Sequence, residues 1–134
     1  MAHSIQTVLT RQELFDDLDL IVVMQLMLRE FERNKRTFSG IEQVVLGWRQ
    51  ELTTSGPGTI DLRLDQALDH EEGIGEMARL IDVAQQGLSR FGDVIPAQIL
   101  NTEYETPSVL FYDFATVRVV ETLNKIRRLI GVTT

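Results

Sequence analysis

Between Asp61 and Asp82 the chain places seven carboxylates, Asp61, Asp65, Asp69, Glu71, Glu72, Glu76 and Asp82, against two arginines, Arg63 and Arg79, with His70 among them. On one continuous helix, Asp65, Asp69, Glu72 and Glu76 fall on one side at spacings of four, three and four. Oxygen ligands converging in that way suit a hard cation such as Mg²⁺ or Mn²⁺. A metal-dependent hydrolase is therefore one reading of the segment. The other is a solvated acidic face, with Asp61, Asp65, Asp69, Glu72 and Glu76 as the contacts for a basic protein partner. His70 changes charge near neutrality and so has the chemistry of a general base. Its carboxylate neighbours favour the protonated ring, which fits a surface ion pair better. No cysteine, second central histidine or Gly-x-Ser-x-Gly elbow completes a catalytic set. We expect no catalytic residues, no resident metal and no cofactor.

The acidic segment does not follow the pattern of the all-α nucleoside triphosphate pyrophosphohydrolases, Glu-Glu-x-x-Glu with a later Glu-x-x-Asp. Glu71-Glu72 is followed by Gly75 where that pattern has its third carboxylate, and Glu13-Leu14-Phe15-Asp16 comes before the pair, not after. No resemblance to that family follows. Thr53-Thr54-Ser55-Gly56-Pro57-Gly58-Thr59 is loop chemistry, but it lacks the Lys-Ser/Thr ending of a phosphate cradle. The basic residues Arg118, Lys125, Arg127 and Arg128 gather near the end of the last apolar pattern, where cations suit the negative helix terminus. On a second copy they could also meet the acidic segment, so a homodimer is a possible assembly.

Composition sets the outer limits. The 134 residues carry a formal net charge of −7. That length corresponds to a single domain with room for a real core. The acidic balance argues against nucleic acid, whose phosphates are bound by Lys and Arg. The absence of cysteine excludes disulfides and thiolate metal sites and agrees with a cytoplasmic setting.

The elements that must position these groups begin with Leu20-Ile21-Val22-Val23-Met24-Gln25-Leu26-Met27-Leu28. A helix turns by about 100° per residue, so this run is apolar on every side and needs neighbours around most of its circumference. Thr10-Arg11-Gln12-Glu13 reads as a capping box opening that helix, which then spans about residues 11–34 and lies at the centre of the fold. Asp16, Asp17, Asp19, Gln25, Arg29 and Glu30 interrupt the segment too often for a membrane span, and the first twelve residues lack the pattern of a signal peptide. Residues 1–9 are assigned a frayed start or an added strand.

Ser39-Gly40-Ile41-Glu42 reads as a second capping box, with Val44, Val45, Trp48 and Leu52 on one apolar face and Trp48 in the core. The helix should end near Thr53 and pair with the first as an antiparallel hairpin. Ile60 to Asp65 alternates like a strand, yet Leu64, Ala67 and Leu68 can begin a helix capped by Thr59 or Asp61. Glu71 to Phe91 carries a helical stripe ending at Gly92, weakened by Gly73, Gly75 and Gly87. Val94-Ile95 is extended before Pro96, and Pro96 to Leu100 is a helical turn or an edge strand. Thr106-Pro107-Ser108 signals a helix start, with the helix running to Ile130 and stopped by Gly131; Val109 to Tyr112 alternatively pairs with Ile99-Leu100, a small β-hairpin within about residues 94–112.

The resulting expectation is one mainly α domain over residues 1–134, a compact bundle of about four to five helices. Its expected role is non-catalytic protein interaction in the cytoplasm, as an inhibitor of a basic protein of the immunity or antitoxin type or as an oligomeric adaptor. The alternative is the all-α Mg²⁺- or Mn²⁺-dependent hydrolase built on Asp65, Asp69, Glu72 and Glu76.

Overall fold

The computed structural model describes residues 2–54, 56–103 and 112–131. Within them the chain is mainly helical. Six α-helices and two small antiparallel strand pairs follow in the order β1 (His3–Val8), β2 (Arg11–Asp16), α1 (Asp17–Arg33), α2 (Glu42–Thr54), α3 (Leu64–Ala67), α4 (Gly73–Gly87), β3 (Val94–Ile95), α5 (Ala97–Glu103), β4 (Phe114–Ala115) and α6 (Thr116–Leu129).

α1 behaves as its composition demands. Seven consecutive residues, Val22 to Leu28, are buried, and Leu20 and Phe31 extend the buried set at both ends. The helix touches β2, α2, α4 and α6. Fully burying a side chain of this size contributes about 1.5–3 kcal/mol. Gln25, the one polar member, lies at 3% exposure, and its Nε2 has no hydrogen-bond partner among the described residues. No helix among the described residues is long and apolar enough to cross a membrane.

The start of α1 corrects the sequence reading. Thr10 to Glu13 is no capping box: Arg11–Asp16 is a strand paired with His3–Val8, Gln6 lies opposite Glu13, and the chain reverses at Leu9 and Thr10. Residues 3–8 are thus an ordered strand. The helix opens six residues later, where Asp16 Oδ1 accepts from Leu18 N at 2.9 Å and Asp19 N at 3.3 Å. The strand wins because it delivers Val8 and Phe15 to the core, at 0% and 1% exposure.

At the second proposed box, a 3-10 turn over Ser39–Ile41 precedes α2 with no side-chain cap. Trp48 is fully buried, and its indole Nε1 donates to Leu62 O at 2.7 Å. Residues 60–63 are neither strand nor helix, although Ile60, Leu62 and Leu64 all turn inward. Neither Thr59 nor Asp61 caps α3; its cap position is Arg63, in left-handed backbone at φ 55°. Pro96 ends β3, and Ile99 and Leu100 belong to α5, so they pair with no strand. The hairpin partner lies further on: Val94 faces Ala115 and Ile95 faces Phe114. The proposed helix start at Thr106–Ser108 and the strand at 109–111 lie outside the described residues; α6 begins at Thr116. Gly92 and Gly131 both take positive φ, 70° and 84°, as the stop signals required.

Candidate functional surface

The acidic segment is folded, but not as one helix. α3 ends at Ala67 and α4 begins at Gly73, which puts Asp65 on the first, Asp69 and Glu72 in the turn between, and Glu76 in the first turn of the second. The break is steric as well as conformational. A Cβ at Gly73 would lie 1.9 Å from the Ala67 carbonyl oxygen, so the corner closes only over glycine.

This corner separates the carboxylates by role. Glu76 goes inside, at 3% exposure, and its Oε1 accepts from Gly40 N at 2.8 Å. It thereby ties α4 to the 3-10 turn before α2. His70 Nδ1 lies 4.0 Å from Glu76 Oε2 and accepts from Glu72 N at 3.2 Å, while the ring stays half exposed. An Nδ1 that accepts this hydrogen bond carries no proton for Glu76, so the 4.0 Å approach is a contact and not a donated hydrogen bond. Asp61, Asp65, Asp69, Glu71 and Glu72 all face solvent, and Leu68 within the same stretch is 41% exposed. Asp65 Oδ1 also accepts from Leu9 N at 3.3 Å, and Asp61 Oδ1 from Arg63 N at 2.8 Å. Among the described residues, no lysine or arginine forms an ion pair with any of these five carboxylates. Also among the described residues, no group of three or more His, Asp or Glu side chains is placed to hold a metal ion.

Several cations are committed elsewhere. Arg63 Nη2 pairs with Glu51 at 2.9 Å, and Arg49 and Lys35 both reach Glu32. Of the C-terminal basic cluster, Arg118 lies 2.7 Å from Asp19 and 3.7 Å from Asp16, with its guanidinium over the Phe114 ring. Lys125 donates to the Leu14 carbonyl and rests over Phe15. Arg127 pairs with Asp82 at 2.6 Å, which leaves Arg128 exposed. Burial raises the Asp19 carboxyl above its ordinary value and outweighs the opposing pull of Arg118.

Two arrangements escaped the sequence reading. One is the set of side chains, Ser4, Gln6, Asp17, Trp48 and Glu51, that holds residues 58–62 in place of strand pairing. The other is a polar cleft between α4 and α6. Its signal was present as Asp82, Gln85, Gln86 and Ser89, polar residues at three-, four- and seven-residue intervals on one side of an apolar stripe.

No known family model matches the chain, and no curated protein or solved structure is significantly similar to it.

Proposed function

We propose that this protein is a non-catalytic interaction domain, a compact helical bundle whose docking face is the exposed acidic stretch from Asp61 to Glu72. The observation that carries this reading is the exposure of Asp61, Asp65, Asp69, Glu71 and Glu72 in one stretch with the exposed Leu68, with no arginine or lysine paired to them among the described residues. Carboxylates left to solvent in this way steer a basic partner and select against acidic ones. Leu68 supplies an apolar anchor within the charged field. Glu76 serves the face indirectly, since its carboxylate is spent on Gly40. The partner class is a basic protein, as for an immunity- or antitoxin-type inhibitor in the cytoplasm; an oligomeric adaptor uses the same face. A homodimer through the C-terminal basic cluster has less support, because Arg118, Lys125 and Arg127 are engaged within their own chain.

The test is capture of a partner from source-cell extract by the immobilised chain, compared with the Asp69→Lys, Glu71→Lys, Glu72→Lys triple variant and with Leu68→Ala. Capture should weaken with salt and be lost in the triple variant while the melting temperature stays unchanged. Equal binding by the triple variant removes the reading. Mg²⁺ and Mn²⁺ should leave the melting temperature unmoved; a rise abolished by Glu72→Ala transfers support to metal-dependent hydrolysis.

A further inference from the structure

An antiparallel pair hands alternate main-chain groups of each strand to its partner and turns the others away. In the first hairpin Ala2 O accepts from Asp17 N at 3.1 Å, which fixes the alternation. Ser4, Gln6 and Val8 therefore bond to Phe15, Glu13 and Arg11, and the N–H and C=O groups of His3, Ile5 and Thr7 point away from β2. On the opposite edge of the pair, the outward Leu14 carbonyl is taken by Lys125.

The β1 edge is closed at both ends and open in the middle. At one end Gly58 packs against it, since a Cβ there would lie 3.3 Å from His3 O. At the other end Leu9 N donates to Asp65 Oδ1 at 3.3 Å. Between them, the outward main-chain groups of Ile5 and Thr7 have no hydrogen-bond partner among the described residues, because residues 60–62 are held by the Ser4 and Gln6 side chains and not by strand pairing. Ile5 and Thr7 are both exposed and line a groove of about 240 Å³, faced by residues 58–61 and by Asp65.

We infer that this edge receives an extended segment of the basic partner as an added strand, a proposal that rests on the acidic docking face. Two residues of the segment, two positions apart, exchange main-chain bonds with Ile5 and Thr7. The residue between them lies opposite Gln6 and sends its side chain to the same face as Gln6, the face on which residues 60–62 lie. Asp61 and Asp65 line the groove there, so the central residue is an arginine or a lysine. The flanking side chains fall on the outer face beside Ile5, which is 61% exposed. A second copy of β1 could pair with the same edge, but it would bring its own Asp61 and Asp65 against these two; like charge opposes that occupant and favours the basic one.

The probe is acetyl-Thr-Val-Arg-Val-Thr-amide, titrated into the full chain while the backbone amide signals of Ile5 and Thr7 are followed by NMR. The peptide should shift both signals and slow their hydrogen exchange. An analogue N-methylated on both valines lacks the N–H groups aimed at β1, and another carries glutamate in place of arginine; each should bind about tenfold more weakly or worse. Asp61→Asn combined with Asp65→Asn keeps the acceptors for Arg63 N and Leu9 N, so it should weaken the arginine peptide about tenfold with the melting temperature unchanged. Unmoved Ile5 and Thr7 signals overturn the added strand, as does equal binding of the N-methylated or the glutamate peptide. The triple lysine variant reads the wider face separately, because Asp69, Glu71 and Glu72 do not line the groove. Loss of capture in that variant, together with unmoved peptide signals in the wild type, rejects the added strand and leaves the docking face standing.

Discussion

The Gln6 side chain accepts from Leu62 N at 2.8 Å and donates to Ile60 O at 2.7 Å, a two-point clamp between residues more than fifty positions apart in the chain. It does for residues 60–62 what a neighbouring strand would do. Ser4 continues the clamp, accepting from Ile60 N at 3.1 Å, and Asp17 Oδ2 accepts from Gly58 N at 2.8 Å. The inward positions Ser4 and Gln6 of β1 are polar for this reason, while Ile5 and Leu14, opposite each other on the outer face, are 61% and 53% exposed.

Replacing Gln6 by leucine keeps the bulk and strands a buried N–H and a buried carbonyl. Each such group costs about 1–3 kcal/mol, so the variant should lose at least about 2 kcal/mol of unfolding free energy in urea. A loss no larger than that of a surface substitution would show that residues 60–62 are held by something else.

Gly73 and Gly75 lie two residues apart in α4 and should respond to alanine with opposite signs. At Gly73 the new methyl meets the Ala67 carbonyl, a backbone atom that cannot swing aside; about 2 kcal/mol or more of stability should be lost. At Gly75 the nearest atom is Arg79 Nη1 at 3.9 Å, so alanine should gain about 0.5 kcal/mol from helix propensity. Thermal unfolding of the two variants measures both.

Glu72 and Glu76 separate surface charge from internal support. Glu72→Ala should change stability by no more than about 0.5 kcal/mol, as for an exposed side chain without a structural partner. Glu76→Ala leaves Gly40 N without its acceptor and should cost about 1–3 kcal/mol. Paired chemical denaturation curves distinguish them.

Asp19 makes stability depend on pH. Its carboxyl is raised above the ordinary value of 3.8, chiefly by burial, so across the interval between the unfolded and folded values the native state holds the proton more firmly. Stability attributable to this group therefore falls as pH rises through that interval and is unaffected below it. Asp19→Asn should melt higher relative to the wild type at pH 7 than at pH 3. A difference that shrinks on going from pH 3 to pH 7 would mean that Arg118 outweighs burial.

What the sequence by itself determined follows from patterns complete within a few turns of chain. The apolar run at 20–28, broken only by Gln25, pointed to an enclosed segment, and the helical stripes at 44–52 and 74–88 marked α2 and α4 with Trp48 inside. The glycines at 92 and 131 marked where helical segments stop. Local chemistry was ambiguous at Thr10–Glu13, because a capping box and a strand demand compatible residues, and only pairing with His3–Val8 chose between them.

Tertiary structure alone decided the fate of the charges. Asp65, Asp69, Glu72 and Glu76 share a spacing that a straight helix would align, but the contact of Gly73 with Ala67 turns the chain and sends Glu76 inward to Gly40. Likewise Arg127 and Asp82 lie 45 residues apart, and nothing in either local pattern records that α4 and α6 meet at that level. Side-chain periodicity reports which face of an element is buried; which element it faces, and therefore which charges are neutralised, is set by long-range packing.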